Sequence, residues 1–86
     1  MSKEHVTMYT TPWCGYCQRL KKQLAAAEVD FLEINIEESP QSVAIVEKAN
    51  QGNQTVPTLV FSDGTAMSNP SAQRVISKLD ELMSKQ

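Results

Sequence analysis

The chain has 86 residues, which is enough for one small domain and too few for two. Its formal net charge of −2 argues against general nucleic-acid binding, which requires a basic surface. Two cysteines are too few for the disulfide framework of a small secreted protein, and no apolar run approaches the length of a membrane span. We therefore expect one cytoplasmic domain over residues 1–86, with neither nucleic-acid nor membrane partners.

The first part of the chain predicts a strand followed by a helix. Residues 6–9 fit a short buried strand that ends at a proline turn, and residues 18–27 read as an amphipathic helix. Four residues recur at helical spacing and should face the core, namely Cys17, Leu20, Leu24 and Ala27. Cys14, at the start of this helix, can then be exposed.

A second strand and a second helix follow. Residues 31–36 are apolar and rich in strand-forming side chains. Ser39 can cap the helix and Pro40 suits its first position, so we expect a helix to residue 50. Gly52 suits the left-handed conformation that ends it. The predicted buried side is Val43, Val46 and Ala49, with Ile45 close to it.

The last part predicts a hairpin and a third helix. Residues 58–61 and 65–67 are strands, joined by the hairpin turn that Asp63 and Gly64 favour. Asn69 and Pro70 pair a cap with a first-turn proline, and the helix should run to about Met83. Its predicted core side is Ala72, Val75, Ile76, Leu79, Leu82 and Met83.

The order of these elements predicts an α/β fold, βαβαββα. The first two strands, joined through a helix, should be parallel with a right-handed crossover. The hairpin makes the last two strands antiparallel. We therefore expect a mixed four-stranded sheet with helices on both faces.

The two cysteines stand three positions apart at a strand-to-helix junction, which favours redox chemistry. The free N–H groups and the positive end of a helix dipole stabilise the thiolate, the reactive form of a thiol. The spacing lets Cys17 reach Cys14 and close a small disulfide. Inert core cysteines or half of a zinc site are the competing interpretations. Zinc needs two more ligands, and His5 is the one histidine, so we predict no metal site.

The whole pattern resembles the thioredoxin fold, and within it the glutaredoxin family. Tyr16 before Cys17, and the sequence Thr55-Val56-Pro57 before the third strand, are typical of glutaredoxins. The resemblance implies a thiol–disulfide oxidoreductase and a cis bond before Pro57, which is otherwise rare.

One region departs from the glutaredoxins that use glutathione. Residues 66–71 lack the double glycine and the Cys-Asp pair that hold the γ-glutamyl end of glutathione. The Trp-Cys-x-Tyr-Cys site, the Asn-x-Thr-Val-Pro-Thr segment and an Asp-Gly-Thr turn followed by Asn-Pro-Ser-Ala are similar to the mycoredoxins of mycothiol-producing bacteria. This resemblance implies a monomer that reduces mixed disulfides between client proteins and a low-molecular-weight thiol. Mycothiol would be a co-substrate, with no tightly bound cofactor.

The resemblance also assigns roles to residues. Cys14 is expected to be the nucleophile, and Cys17 can attack Cys14 in turn. Val56 offers its backbone to the bound thiol as an added strand. Trp13 and Tyr16 would wall the groove for the adduct or simply pack, and Ser68 and Asn69 would face the sugar or cyclitol of mycothiol or merely form a turn and cap. The full set of predicted substrate-binding residues is Trp13, Gly15, Tyr16, Thr55, Val56, Pro57, Ser68 and Asn69.

Two other functions stay open on the sequence. A small glutaredoxin-like protein without glutathione contacts can instead donate electrons to ribonucleotide reductase and be recharged by thioredoxin reductase. Gly15, in place of the motif proline, also fits glutaredoxins that carry a [2Fe–2S] cluster, although the missing glutathione pattern speaks against this.

Overall fold

A computed structural model describes residues 5–84, so the predicted domain over residues 1–86 extends past the described part at both ends. The elements occur in the predicted order, βαβαββα. They are β1 (Val6–Thr10), α1 (Gly15–Ala26), β2 (Leu32–Asn35), α2 (Pro40–Ala49), β3 (Thr58–Phe61), β4 (Ala66–Ser68) and α3 (Ala72–Ser84). None of the helices in the described range has the length and apolar character needed to cross a membrane.

The four strands form one mixed sheet in the order β2-β1-β3-β4, which confirms the predicted fold class. β1 pairs in parallel with β2 and antiparallel with β3, and β3 pairs antiparallel with β4. Gly64 adopts a positive φ of 90° in the turn between β3 and β4, as the hairpin prediction requires.

Successive side chains of a strand point to opposite faces, so the apolar residues of the sheet lie on both of its faces. The larger cluster lies between one face and helices α1 and α3. Its buried members are Val6, Met8, Leu20, Leu24, Val29, Leu59, Phe61, Val75, Leu79 and Leu82. The smaller cluster, Tyr9, Ile36 and Val46, lies on the other face beneath α2. Helices therefore cover both faces, as predicted.

The ends of the first two helices differ from the predictions. α1 begins at Gly15 rather than Gln18, because Cys14 occupies the N-cap and its sulfur accepts the N–H of Cys17. Ala27, predicted to be buried, is the exposed C-cap residue of this helix, where the chain has already left the core.

Ser39 stands at the N-cap of α2, as predicted, but its side chain does not cap the backbone. Its hydroxyl instead hydrogen-bonds the hydroxyl of Ser42 at 2.8 Å. Beyond α2, Gly52 has the predicted left-handed conformation (φ 97°) and donates its N–H to the carbonyl of Glu47 at 2.7 Å. Ile45 points largely to solvent, whereas Val46 is fully buried.

The cap predicted for α3 is wrong. The hydroxyl of Ser71, not the side chain of Asn69, accepts the N–H of Arg74 at 3.2 Å. Asn69 is itself left-handed, with φ 46°, and belongs to the turn before the helix. Met83 is 43% exposed, so it does not join the predicted core side, although its neighbour Leu82 is buried in the larger cluster.

Candidate active site

The two cysteines are brought together at the start of α1, as free thiols. The backbone N–H of Cys17 donates to Cys14 Sγ at 3.1 Å, which is the type of contact that stabilises a sulfur anion at a helix N-terminus. Cys14 is 5% exposed and Cys17 is 0% exposed. Cys17 thus faces inward as predicted, but Cys14 is covered rather than exposed.

The cover over Cys14 comes from the segment before β3. The thiol of Cys14 lies 3.7 Å from the carbonyl oxygen of Val56, to which it donates a weak hydrogen bond. A residue distant in sequence therefore shields the sulfur, and helical periodicity cannot reveal such a contact.

The environment of Cys17 keeps it protonated. Burial, and secondarily its hydrogen bond with Cys14, raise the pKa of Cys17 to about 12. Since only the thiolate attacks a disulfide, Cys17 is unreactive at neutral pH until it loses a proton.

The segment Thr55-Val56-Pro57 passes beside the cysteines. The Val56–Pro57 peptide bond is cis, as the resemblance implied. The N–H of Val56 has no hydrogen-bond partner among the described residues. Asn69 donates its N–H to the carbonyl of Pro57 at 2.7 Å, so the turn after β4 also supports this segment.

A partly buried polar network holds the other end of the same segment. Thr58 Oγ1 donates to the carbonyl of Thr55 at 2.6 Å and accepts from Asn50 Nδ2 at 2.9 Å. Asn50 Nδ2 also donates to the carbonyl of Val46 at 2.8 Å. Ser68 donates its hydroxyl to Asn50 Oδ1.

The polar network gives Ser68 a different role from the one predicted, and it adds two residues that hold the site together. The side chain of Ser68 is engaged with Asn50 and lines neither of the grooves described below. Asn50 and Thr58, which the sequence did not single out, hold the loop in place. No local pattern indicates them, because their partners come from α2, β3 and β4.

Two separate grooves flank the cysteine pair. The Trp13 groove, of about 390 Å³, is lined by Thr11, Trp13, Ile36, Glu37, Val43 and Gln54. The Tyr16 groove, of about 350 Å³, is lined by Tyr16, Arg19, Leu20, Gln23, Asn69, Pro70 and Ser71. Trp13 and Tyr16 are 73% and 62% exposed, so neither ring is a core packing residue.

Gly15 lies between Trp13 and Tyr16 in the sequence, and the space around it in the structure is open. A Cβ atom built at this position would meet no atom within 4 Å, and its φ is not left-handed. The backbone therefore does not require glycine here.

Together, a reduced Cys-x-x-Cys pair at a helix start, a cis-proline segment beside it and this strand order define a thiol–disulfide oxidoreductase. The glutaredoxin family model matches residues 6–66, and the chain belongs to the glutaredoxin family, whose members act on low-molecular-weight thiols and protein disulfides.

Relatives from actinobacteria match most of the chain. "Putative glutaredoxin Rv3198A" of Mycobacterium tuberculosis is 47% identical over 74 residues, covering 86% of this chain and 88% of that protein. Mycoredoxin 1 of Corynebacterium glutamicum is 41% identical over 78 residues, covering 91% and 96%.

Solved structures share the fold at lower identity. The glutaredoxin of Methanosarcina mazei Go1 has a TM-score of 0.75 and 24% identity, covering 90% of this chain and 79% of that one. Methanoredoxin of Methanosarcina acetivorans has a TM-score of 0.68 and 23% identity, covering 85% and 81%. At these identities the likeness shows the fold alone.

Proposed function

We propose that the protein reduces mixed disulfides between client proteins and mycothiol. The observation that carries the proposal is the 41% identity to Mycoredoxin 1 over 91% of the chain, together with a cysteine pair of fitting geometry. Mycothiol acts as a soluble co-substrate, and the protein acts as a monomer.

The roles of the cysteines follow from their environments. In the first step the Cys14 thiolate attacks the mycothiol sulfur of the mixed disulfide, the old S–S bond breaks, and the client leaves as a thiolate that takes up a proton. In the second step a mycothiol thiolate attacks the mycothiol sulfur bound to Cys14. Mycothiol disulfide forms, and the Cys14 thiolate is released.

Cys17 supports this single-thiol route through its backbone. Its N–H donates to Cys14 Sγ, while its own thiol stays protonated because the pKa is raised to about 12. A protonated Cys17 is slow to attack the Cys14 adduct, which leaves time for a second mycothiol to do so.

Val56 provides a place for the peptide-like part of the thiol. Its N–H is unpaired among residues 5–84, and its carbonyl oxygen has only the weak contact with the Cys14 thiol. A bound amide running alongside can use both groups, as an added strand does.

The test compares two serine variants on a protein–mycothiol mixed disulfide with mycothiol as the reductant. Cys14→Ser should abolish turnover, whereas Cys17→Ser, which keeps the backbone N–H, should retain it. Loss of turnover in Cys17→Ser would contradict the single-thiol route. Turnover of the wild type driven only by thioredoxin reductase would instead indicate the electron donor for ribonucleotide reductase.

A further inference from the structure

The Trp13 groove is rich in hydrogen-bond acceptors and has no cation among its lining residues. We propose that this groove binds the uncharged, hydroxyl-rich part of the small thiol, and that Glu37 makes it select against thiols that carry carboxylates. The inference rests on the proposed function, because it assigns the binding place of that same co-substrate.

The groove begins beside the reacting sulfur. Trp13 directly precedes Cys14, and the N–H of Cys14 donates to the carbonyl of Thr11, another lining residue, at 3.3 Å. Gln54, another lining residue, lies two residues before Val56, whose carbonyl contacts Cys14 Sγ. A thiol joined to Cys14 and running along Val56 therefore has the Trp13 groove within reach.

The unpaired polar atoms of the groove are hydrogen-bond acceptors, so a ligand that pairs with them must supply donors. Glu37 Oε2 accepts the indole N–H of Trp13 at 2.8 Å, and Oε1 has no partner within residues 5–84. Gln54 donates its amide to Glu47 at 3.2 Å, which leaves the amide oxygen of Gln54 without a partner in the same range.

Thr11 adds an independent indication of a ligand. It is buried, and its Oγ1 has no hydrogen-bond partner in the described part of the chain. Buried hydroxyls are normally paired, so an unpaired one beside a groove indicates a missing partner. A ligand hydroxyl can pair with this enclosed oxygen if the Thr11 side chain turns towards the groove that the residue lines.

The floor of the groove is apolar. Ile36 is buried and Val43 half-buried, and the indole of Trp13 is exposed beside them. The C–H faces of a sugar or cyclitol can pack on these groups while its hydroxyls reach Glu37. A carboxylate in the same place would lose its hydration and meet the Glu37 carboxylate.

The alternative location fits less well. In the Tyr16 groove the charged residue is Arg19, which suits an anion rather than a neutral polyol. Ser68, one of the two residues predicted to face the polyol, has its hydroxyl engaged with Asn50. Asn69 does line the Tyr16 groove, so it provides the competing contact for a test.

The experiment measures kcat/KM for mycothiol and for glutathione as the reducing thiol in Glu37→Lys and Glu38→Lys. Both variants change the net charge equally, but the Glu38 carboxylate contacts Asn35 and lies outside the groove. Glu37→Lys should lower the mycothiol-to-glutathione preference by roughly tenfold or more, since it replaces like-charge repulsion with attraction for a carboxylate. Glu38→Lys should leave the preference near that of the wild type.

A structural readout completes the test. Trp13 is the single tryptophan of the sequence, so the protein has one indole N–H resonance. In Cys17→Ser carrying mycothiol on Cys14, that resonance should shift relative to the same variant carrying 2-mercaptoethanol. A shift at the Asn69 side-chain amide without one at Trp13 would overturn the proposal, as would equal changes in preference for both lysine variants.

The two hypotheses fail in different ways. If the wild type does not turn over with mycothiol, the proposed function fails. If it turns over with mycothiol but Glu37→Lys keeps the wild-type preference, only the placement in the Trp13 groove fails.

Discussion

Cys14 and Cys17 belong to one short motif but lie in different environments. Cys14 Sγ receives a backbone N–H at the start of α1, whereas the Cys17 side chain is fully buried behind it. Burial, more than the neighbouring thiol, raises the pKa of Cys17 to about 12. The fold therefore places the two sulfurs in different surroundings, although they are only three residues apart.

This difference predicts how the cysteines react with iodoacetamide. At pH 7 the reagent should modify Cys14 first, because Cys17 remains a thiol, and Cys17 should gain reactivity only as the pH rises towards about 12. Mass spectrometry of the two labelled positions in Cys14→Ser, Cys17→Ser and the wild type measures this. In guanidinium chloride both positions should react alike, and equal reactivity in the folded protein at pH 7 would contradict the assignment.

The hydroxyl of Thr58 predicts a second effect of a single residue. Thr58→Val keeps the shape of the buried side chain but leaves the carbonyl of Thr55 and the amide of Asn50 without this partner. We expect a loss of about 1–3 kcal/mol in the free energy of unfolding, measured by urea denaturation. Thr58→Ser retains the hydroxyl and removes the methyl group, so it should lose clearly less; a loss in Thr58→Val no larger than that in Thr58→Ser would contradict the role of the hydroxyl.

At the scale of elements, helix ends depend on backbone conformation that side-chain periodicity does not describe. After α2, Gln51 and Gly52 both have a positive φ, of 57° and 97°, and the N–H of Gly52 reaches back to the carbonyl of Glu47. Gly52→Ala should destabilise the protein by about 1 kcal/mol, since a Cβ disfavours this conformation although no neighbour would touch it.

Gly15→Ala is the matched control for Gly52→Ala. Gly15 also has open space around it, but it lies in α1 without a left-handed φ. Thermal unfolding should show no loss of stability for this variant. A similar loss in both variants would show that the left-handed conformation is not the cause.

The elements also show how far the sequence determines this site. The element order, the mixed sheet, the hairpin at Gly64 and, apart from Ala27, the inward side of α1 follow from local patterns, and the structure confirms them. The misplaced cap at Asn69 and the covered sulfur of Cys14 have another origin. Asn69 and Cys14 are tied to Pro57 and Val56, far away in the sequence, and only the assembled sheet brings these pairs together.

At the scale of the whole molecule, most of the buried apolar side chains in the described range lie on one face of the sheet. The cluster beneath α1 and α3 includes Leu79, which is fully buried, while Met83, one turn further along α3, is 43% exposed. The same helix thus contains a core position and a half-exposed one, which the spacing of its apolar residues in the sequence does not distinguish.

These two positions give a prediction about the core. Leu79→Ala should cost about 2–5 kcal/mol of unfolding free energy, because it removes buried methyl groups and leaves a cavity. Met83→Ala should change stability by less than about 0.5 kcal/mol. Urea unfolding of both variants measures the difference, and comparable losses would show that Met83 is a core position after all.

The uneven division of the core has a consequence for motion. α2 is held to the sheet by the small cluster of Tyr9, Ile36 and Val46, so it should open locally at a lower free energy than α1 or α3. Its amide hydrogens should then exchange with deuterium sooner than theirs. Because Val43 of α2 lines the Trp13 groove, a thiol bound there would slow that exchange. The exchange rate of α2, the least firmly anchored helix, would then report whether the groove is occupied.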